Sequence, residues 1–416
     1  MTKPLRFSII IPTRDRGSTL LATIRTCLAQ GYPNFEIIVS DNCSIDNTKE
    51  VALHFKNPNI KYINTKTRVS MSQNWEFALQ HATGDFVTIL GDDDGLLMGS
   101  LNEIERIIKR TKTQAVAWKQ VSYHWPNHII ENQKNLISIP LSKKLEKRNA
   151  KDYLQRVLNF DISYDEISFL YKGMIHKSVI EKVKNQSGGI FFHSQTPDLY
   201  AAIVLSNNLE NYIYSEKPFS INGASGSSNG TSQFNQNLSN FEYKKFSSES
   251  NIPFHTKLCY CPSISMLTAE CFYQASDHIP EFENNFRIDP FKFIDSVLND
   301  ALSSPKWRFE EISIALRRTI DINQWNKNLL LINKKLNQYK EKVLIDYVRF
   351  GFLQKEKIVC VDGSQFSVKD VYDAALLTNF IFNYQNLGLI KNHPKSLFQK
   401  IQYKFHRIFN KINKLF

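Results

Sequence analysis

The chain has 416 residues, 42% of them hydrophobic and 22% charged, with 52 Lys and Arg against 40 Asp and Glu. That balance belongs to folded globular proteins and excludes disordered and fibrous classes, while the length asks for two or three domains. No stretch approaches the roughly eighteen consecutive apolar residues of a membrane span, and the apolar run around Phe7–Ile11 is too short for a secretory signal, so a cytoplasmic protein is expected.

The first 120 residues alternate short apolar runs with helical patterns. Strands are expected at Phe7–Ile11, Phe35–Val39, Ile60–Ile63, Phe86–Leu90 and Ala115–Trp118. Between them lie helices at Ser18–Gln30, Asn47–Phe55, Ser72–His81 and Ser100–Lys109, the last with Leu101, Ile104, Ile107 and Ile108 on one face. This alternation predicts an α/β fold with a doubly wound, mostly parallel sheet, in which ligands bind at the carboxyl ends of the strands. Residues 121–222 are mixed, with a hairpin near Val121–Ile139 and helices near Asp152–Leu158 and Pro197–Ser206. The Gly/Ser-rich run Ile221–Gln233 is a mobile loop or a domain edge, a closing lid or a plain linker. Beyond it, 250–390 read as mainly helical, with Asp289–Leu302 and Pro305–Ile320 as examples and Ser304 expected to cap the second.

The six cysteines, Cys27, Cys43, Cys259, Cys261, Cys271 and Cys360, are sparse and irregular, which fits reduced thiols rather than a disulfide framework or a zinc site. The net charge of +12 gathers at the end of the chain, where 391–416 hold seven Lys and Arg and no acid. In that segment Phe398, Ile401, Phe405, Ile408, Phe409 and Ile412 form one arc of a helix, with Lys404, Arg407 and Lys411 on another. This is the pattern of an in-plane helix on an anionic membrane surface; the alternative is a helix packed on the protein with solvated lysines. Nucleic acid is not the expected partner, because the aromatics sit in an apolar stripe.

Three segments sit where chemistry belongs. The strand Phe86–Leu90 runs into Gly91-Asp92-Asp93-Asp94-Gly95, and three adjacent carboxylates persist only if solvated or sharing a cation such as Mn²⁺ or Mg²⁺. Pro12-Thr13-Arg14 closes the first strand and Asp41 the second, so these ends converge with Asp92, Asp93 and Asp94 on one ligand. Arg14 suits a phosphate or a base, and Asp41 a base or ribose, whereas Asp46 reads as a helix cap.

The segments FSIIIPTRDR, FEIIVSDNCSIDNT and GDFVTILGDDDGLL, in this order and spacing, resemble the nucleotide-sugar-binding half of glycosyltransferase family 2, on the GT-A fold. The resemblance spans about residues 5–110 and extends to about 230; the helix bearing Asn74 and Trp75 also fits, while the SDNCS loop is one residue longer than the commoner DDGS form. It implies inverting sugar transfer from a nucleotide-diphosphate donor, as in bacterial surface-polysaccharide (O-antigen or capsule-like) assembly on a lipid-linked glycan acceptor. Asp92 and Asp94 take the DxD positions, with Asp94 the direct Mn²⁺ or Mg²⁺ ligand, and Pro12, Thr13, Arg14, Asp41, Asn74, Asp92 and Asp93 are the expected donor contacts. The resemblance implies a domain at 1–230, with a donor half to about 120 and an acceptor half after it; the residue pattern adds a helical domain at 231–390 and the tail at 391–416, expected on the inner face of the cell membrane.

The catalytic base must come from outside the donor half. Asp198, at the start of a helix capped by Thr196 and opened by Pro197, matches the family's position for it, with Asp165 and Glu166 in reserve and His193 a possible extra ligand. A first-turn Asp equally serves the helix dipole, which would lower its pKa and weaken a base. The rival readings are a sugar nucleotidyltransferase, which needs a more glycine-rich first loop than PTRDRGS, and a membrane-associated scaffold that has lost the chemistry.

Overall fold

The computed structural model describes residues 3–228, 249–325, 329–336, 339, 350–353 and 357–386. The expected membrane helix, with Phe398, Ile401, Lys404, Phe405, Arg407, Ile408, Phe409, Lys411 and Ile412, lies outside the described residues. Strands are β1 (Phe7–Thr13), β2 (Phe35–Asp41), β3 (Ile60–Asn64), β4 (Phe86–Ile89), β5 (Gly95–Leu96), β6 (Ala115–His124), β7 (Leu136–Pro140), β8 (Leu145–Asn149), β9 (Gly173–His176), β10 (Asn211–Ala224), β11 (Gly351–Leu353) and β12 (Ile358–Asp362). Helices α1 (Gly17–Leu28), α2 (Thr48–Leu53), α3 (Met71–Leu79) and α4 (Ser100–Thr111) alternate with the early strands. They are followed by α5 (Ala150–Leu158), α6 (Lys177–Gln186), α7 (Pro197–Asn208), α8 (Ile264–His278), α9 (Phe282–Asn285), α10 (Pro290–Leu302), α11 (Lys306–Ile322), α12 (Leu329–Leu336) and α13 (Val371–Asn386).

All the described strands join one sheet, whose main path runs β11-β12-β7-β6-β9-β4-β1-β2-β3. The β4-β1-β2-β3 part is parallel, with Thr13 opposite Asp41 at its carboxyl end. Both faces of β4, β1 and β2 are covered, which is why these three are nearly continuous apolar runs, while β3 at the edge is only half-buried. Ile9, Ile11, Ile37 and Val39 meet α1 and α4 on one face, while Ile10, Ile38 and Ile89 point into the core on the other. Helices on both faces make the doubly wound arrangement expected from the alternation.

Beyond β4 the order changes. β9 runs antiparallel to both β4 and β6, and the long β10 lies parallel to β6 and antiparallel to β5 and β8. The expected hairpin is present, with Ser122 opposite Ser138. Gly173 is required at the crossing, since a Cβ there would stand 2.2 Å from Phe169 O and 2.9 Å from Val116 O.

The later part of the chain is mainly helical, and its apolar faces are continuous with the sheet's core: Met266, Phe272, Val297 and Leu316 belong to the same cluster as Ile10, Ile38 and Tyr200. Asp289 caps α10 ahead of Pro290, accepting from the N–H groups of Phe291 and Lys292. Ser304 does not cap α11. Pro305 takes the cap position instead, and the Ser304 hydroxyl turns back to donate to Asp300 O at 2.6 Å. Two short strands were also hidden in this region: β12 adds to the edge of the sheet by pairing with β7, Cys360 opposite Ser138. Its signal, IVCVD, is only five residues long and carries no helix-strand contrast of its own.

Candidate active site at the carboxyl ends of the strands

The acidic run follows β4, next to the ends of β1 and β2. Thr23 of α1 fixes its backbone, donating to the carbonyl oxygens of Asp94 at 2.8 Å and Asp92 at 3.0 Å. The three carboxylates then diverge. Asp94 is completely buried; its Oδ1 accepts Gly223 N–H at 2.6 Å and its Oδ2 accepts Gly91 N–H at 3.1 Å, with the Tyr171 hydroxyl as a further donor. Asp93 Oδ2 accepts the hydroxyl of Ser225 at 2.6 Å, and its carbonyl accepts Trp125 Nε1–H at 3.0 Å. Asp92 keeps 12% of its side chain exposed and faces Arg16, with Nη1 at 3.7 Å from Oδ1.

Burial pushes all three carboxyls above the usual carboxylate range. The Arg16 charge pulls Asp92 and Asp93 back, whereas the charge of Asp93 raises Asp94 further. A site that disfavours its own negative charge has the electrostatics to welcome a cation. Among the described residues no cluster of three or more His, Cys, Asp or Glu side chains forms a ready metal cage. Asp92 is the least buried of the three and suits a hard cation shared with phosphate oxygens, although Arg16 and the Arg14 N–H already face its carboxyl. Asp94 suits one only after Gly223, Gly91 and Tyr171 release it.

The other expected donor residues gather here, with differing freedom. Pro12 sits opposite Ser40 and Thr13 opposite Asp41 in the β1–β2 ladder. Thr13 is buried; its Oγ1 has no partner at ordinary hydrogen-bond distance, though it lies close enough to Asp92 to favour the ionised carboxyl. Asp41 already accepts Ser44 N–H at 2.9 Å, the Tyr62 hydroxyl at 2.5 Å and Asn64 Nδ2–H at 3.2 Å. Asn74 exchanges hydrogen bonds with Ser40, accepting from its hydroxyl at 2.7 Å and so tying α3 to β2. Arg14 is paired with the Glu249 carboxylate. Asp46 accepts from Thr48 N–H and Gly17 N–H, the first residues of α2 and α1, but it is not the cap: Asn47 holds that position for α2 and makes no side-chain capping bond.

Arg16 was not singled out by the sequence, although it lies two residues past Arg14 in the same motif. It is the cation against the acidic run, and its Nη2 also donates to Ser227 O. Tyr171 was missed as well. It stacks on Trp75, with ring centroids 6.0 Å apart and planes 8° from parallel, and feels the charges of Asp94, Asp93 and Asp198. It therefore stands between the acidic run and the start of α7.

Asp198 follows Pro197 in the first turn of α7, with Thr196 at the cap but making no side-chain capping bond. Its pKa is raised, not lowered: burial outweighs the helix N–H groups and the nearby Lys172 ammonium. The dipole argument against Asp198 as a base is thus overridden by desolvation. Asp165 is paired with Lys172 at 3.1 Å and Glu166 with Arg148 at 2.9 Å, which commits both reserves. His193 stacks on His278 at 3.9 Å and contacts the carbonyls of Ser187 and Ile190, away from any carboxylate cluster.

Comparison with known proteins gives a family-model match over part of the chain and partial relatives. Residues 8–167 match the model of Glycosyl transferase family 2. The GalNAc(5)-diNAcBac-PP-undecaprenol beta-1,3-glucosyltransferase of Campylobacter jejuni is 33% identical over 36% of this chain and 47% of its own length. The UDP-Glc:alpha-D-GlcNAc-diphosphoundecaprenol beta-1,3-glucosyltransferase of Escherichia coli is 28% identical over 31% of this chain and 48% of its own. This chain thus spans about half the length of these relatives. The crystal structure of S. aureus TarS 1-349 in complex with UDP-GlcNAc superposes with a TM-score of 0.48 at 14% identity, over 84% of this chain and 95% of that one.

Proposed function

We propose that the chain, whose residues 8–167 match the model of Glycosyl transferase family 2, transfers a sugar, with inversion, from a nucleoside-diphosphate donor to a hydroxyl of a lipid-linked glycan during surface-polysaccharide assembly. The observation that carries this reading is the placement of Arg16 and Asp92 at the strand ends, with Asp198 reached from Asp94 through Tyr171. The UDP-Glc donor named for the Escherichia relative, and the undecaprenyl-diphosphate-linked acceptors named for both relatives, support a UDP-sugar and a polyprenyl-diphosphate-linked acceptor.

Each group has a distinct task. The base and ribose lie along Pro12, Thr13 and Asp41, with Asn74 holding the β2 end in place. Arg16 attracts the diphosphate, and Arg14 adds to it only once Glu249 releases its guanidinium. Asp92 and, once released, Asp94 would hold Mn²⁺ or Mg²⁺, which when bound neutralises charge on the departing diphosphate. Asp93 braces the run by holding Ser225. Asp198 withdraws the proton of the acceptor hydroxyl; its desolvated carboxyl is a stronger base than an exposed one. Attack from the side opposite the diphosphate inverts the anomeric centre.

Calorimetry with UDP, GDP, dTDP and CMP, each with and without Mn²⁺, tests the donor site. One diphosphate should bind in a metal-dependent way, and Asp92→Ala should weaken it at least ~10-fold. Failure of all four to bind a folded wild-type protein would move the reading to a non-catalytic scaffold.

Among the described residues no helix is long and apolar enough to cross a membrane. On the same reading the basic segment at 391–416, outside the described residues, holds the protein on the anionic inner face of the membrane, where a lipid-linked acceptor would be met. Deleting it should end co-sedimentation with phosphatidylglycerol-containing vesicles and leave nucleotide binding intact. Undiminished sedimentation of the shortened chain would refute the attachment.

A further inference from the structure

One carboxylate of the helical region after residue 250 reaches the acceptor half. Glu270 of α8 is completely buried. Its Oε2 accepts the Ser194 hydroxyl at 2.5 Å and its Oε1 accepts Gln274 Nε2–H at 2.8 Å. The same Ser194 oxygen accepts Thr196 N–H at 3.2 Å, and Thr196 is the cap residue of α7, whose carbonyl receives Tyr200 N–H at 3.0 Å. A short relay thus runs from Glu270 through Ser194 to the first turn of α7, which carries Asp198.

Neighbouring bonds show that this turn is held from several sides. Ser72 of α3 donates to Ser194 O at 2.6 Å, and Gln195 Nε2 donates to Ile252 O at 2.7 Å. Gln274 also donates to Pro253 O at 2.9 Å, joining α8 to the same strap of chain. Among these anchors Glu270 alone is an ionisable group, and burying it is costly unless its bonds repay the loss of water. Desolvation raises its pKa to about 7. A packed apolar side chain would serve a purely structural position at less cost. Cys271, next in sequence, lies 3.3 Å from both the Ser194 and Thr196 hydroxyls, so the turn is enclosed as well as bonded.

We propose that Glu270 is a positioning residue for the transfer reaction, fixing the Ser194–Thr196 turn so that Asp198 meets the acceptor hydroxyl, and that the helical region is thereby part of the acceptor half. This rests on Asp198 acting as the base. The role is indirect, since Glu270 touches neither sugar nor nucleotide, and it concerns a carboxylate 72 residues away in sequence from the one it serves.

The test compares the full chain with Glu270→Ala and Glu270→Gln. Hydrogen exchange is followed in peptides covering 86–96 and 194–204, together with UDP binding in Mn²⁺ and turnover of UDP-glucose on GlcNAc-diphosphoundecaprenol. Glu270→Ala should quicken exchange at the start of α7 about 10-fold, leave that of β4 unchanged, and lower kcat about 100-fold at constant donor KM, the scale expected for a misplaced catalytic group. Glu270→Gln keeps an oxygen for the Ser194 hydroxyl and should recover most of both losses. Unchanged exchange at 194–204 in Glu270→Ala overturns the proposal, as does loosening of every peptide together with lost UDP binding. Folded wild-type protein that binds none of UDP, GDP, dTDP and CMP in Mn²⁺ would instead sink the transferase reading, a failure distinct from either outcome for Glu270.

Discussion

Asp198→Asn is expected to lower sugar transfer by about 10²–10⁴-fold, the range a general base contributes, with nucleotide binding unchanged. The substitution keeps shape and removes a charge. Because burial raises the Asp198 pKa, its ionised form is disfavoured in the folded protein, so the amide should melt at or above the wild-type temperature. The sign follows from the shift: a carboxyl with a raised folded pKa weakens the fold as pH climbs from its unfolded value through its folded one, and the amide removes that dependence. Lost activity joined to retained or improved stability marks a carboxylate kept for chemistry. A dipole-complementing Asp would show the reverse, a small loss of stability and transfer within a few-fold of wild type. Parallel kinetic and thermal measurements on the one variant decide between them.

Gly223→Ala should be the most damaging single-atom-group addition near the acidic run. A Cβ there would stand 1.9 Å from Asp93 O and 2.8 Å from Trp125 Nε1. The nearest obstacle is backbone, so no rotamer change clears it and β10 must move. That movement opens the Gly223 N–H bond to Asp94 and disturbs Ser225 on Asp93. Overpacking alone costs ~1–3 kcal/mol and a lost bond to a charged group ~1.5–3 kcal/mol, so a loss of about 3 kcal/mol or more is expected in denaturant unfolding. Gly31→Ala is the control. Its φ is +60° and nothing lies within 4 Å of the added carbon, so only about 1 kcal/mol of left-handed backbone strain is expected. Equal stability of the two variants would show that the close approach at Gly223 is not a constraint.

The parts of the site that could be read from the sequence are those made by neighbours along the chain. The strand-to-loop junctions at Thr13, Asp41 and Asp92 announce themselves as apolar runs ending in polar residues, and a parallel sheet brings such ends together. Asp198 is proposed from its place after Thr196 and Pro197, a helix start that the structure contains. What escaped depends on partners far away in sequence: Gly223 meets Asp94 across 129 residues, and Ser225 meets Asp93 across 132. No periodicity encodes those pairings. Tyr171 likewise follows an unremarkable Phe169–Leu170 run, and only the packing against Trp75 gives its hydroxyl a direction. Arg16 was within reach, but a choice between two arginines of one motif needs side-chain geometry. Arg14, expected to meet a phosphate or a base, is committed to Glu249.

The pairing of β7 with β12 also bears on how the chain is made. Ser138 and Cys360 sit side by side at 222 residues' separation. At the usual pace of protein synthesis, roughly ten to forty seconds pass before the later strand follows the earlier one out of the ribosome. During that interval β7 presents an open edge of backbone donors and acceptors, Leu136–Pro140, capable of joining a strand from another nascent chain. Pro140 lacks an N–H and so interrupts the donor row at one end of that edge. The molecule closes its own sheet last, and its yield in a cell depends on how well that edge is shielded until then.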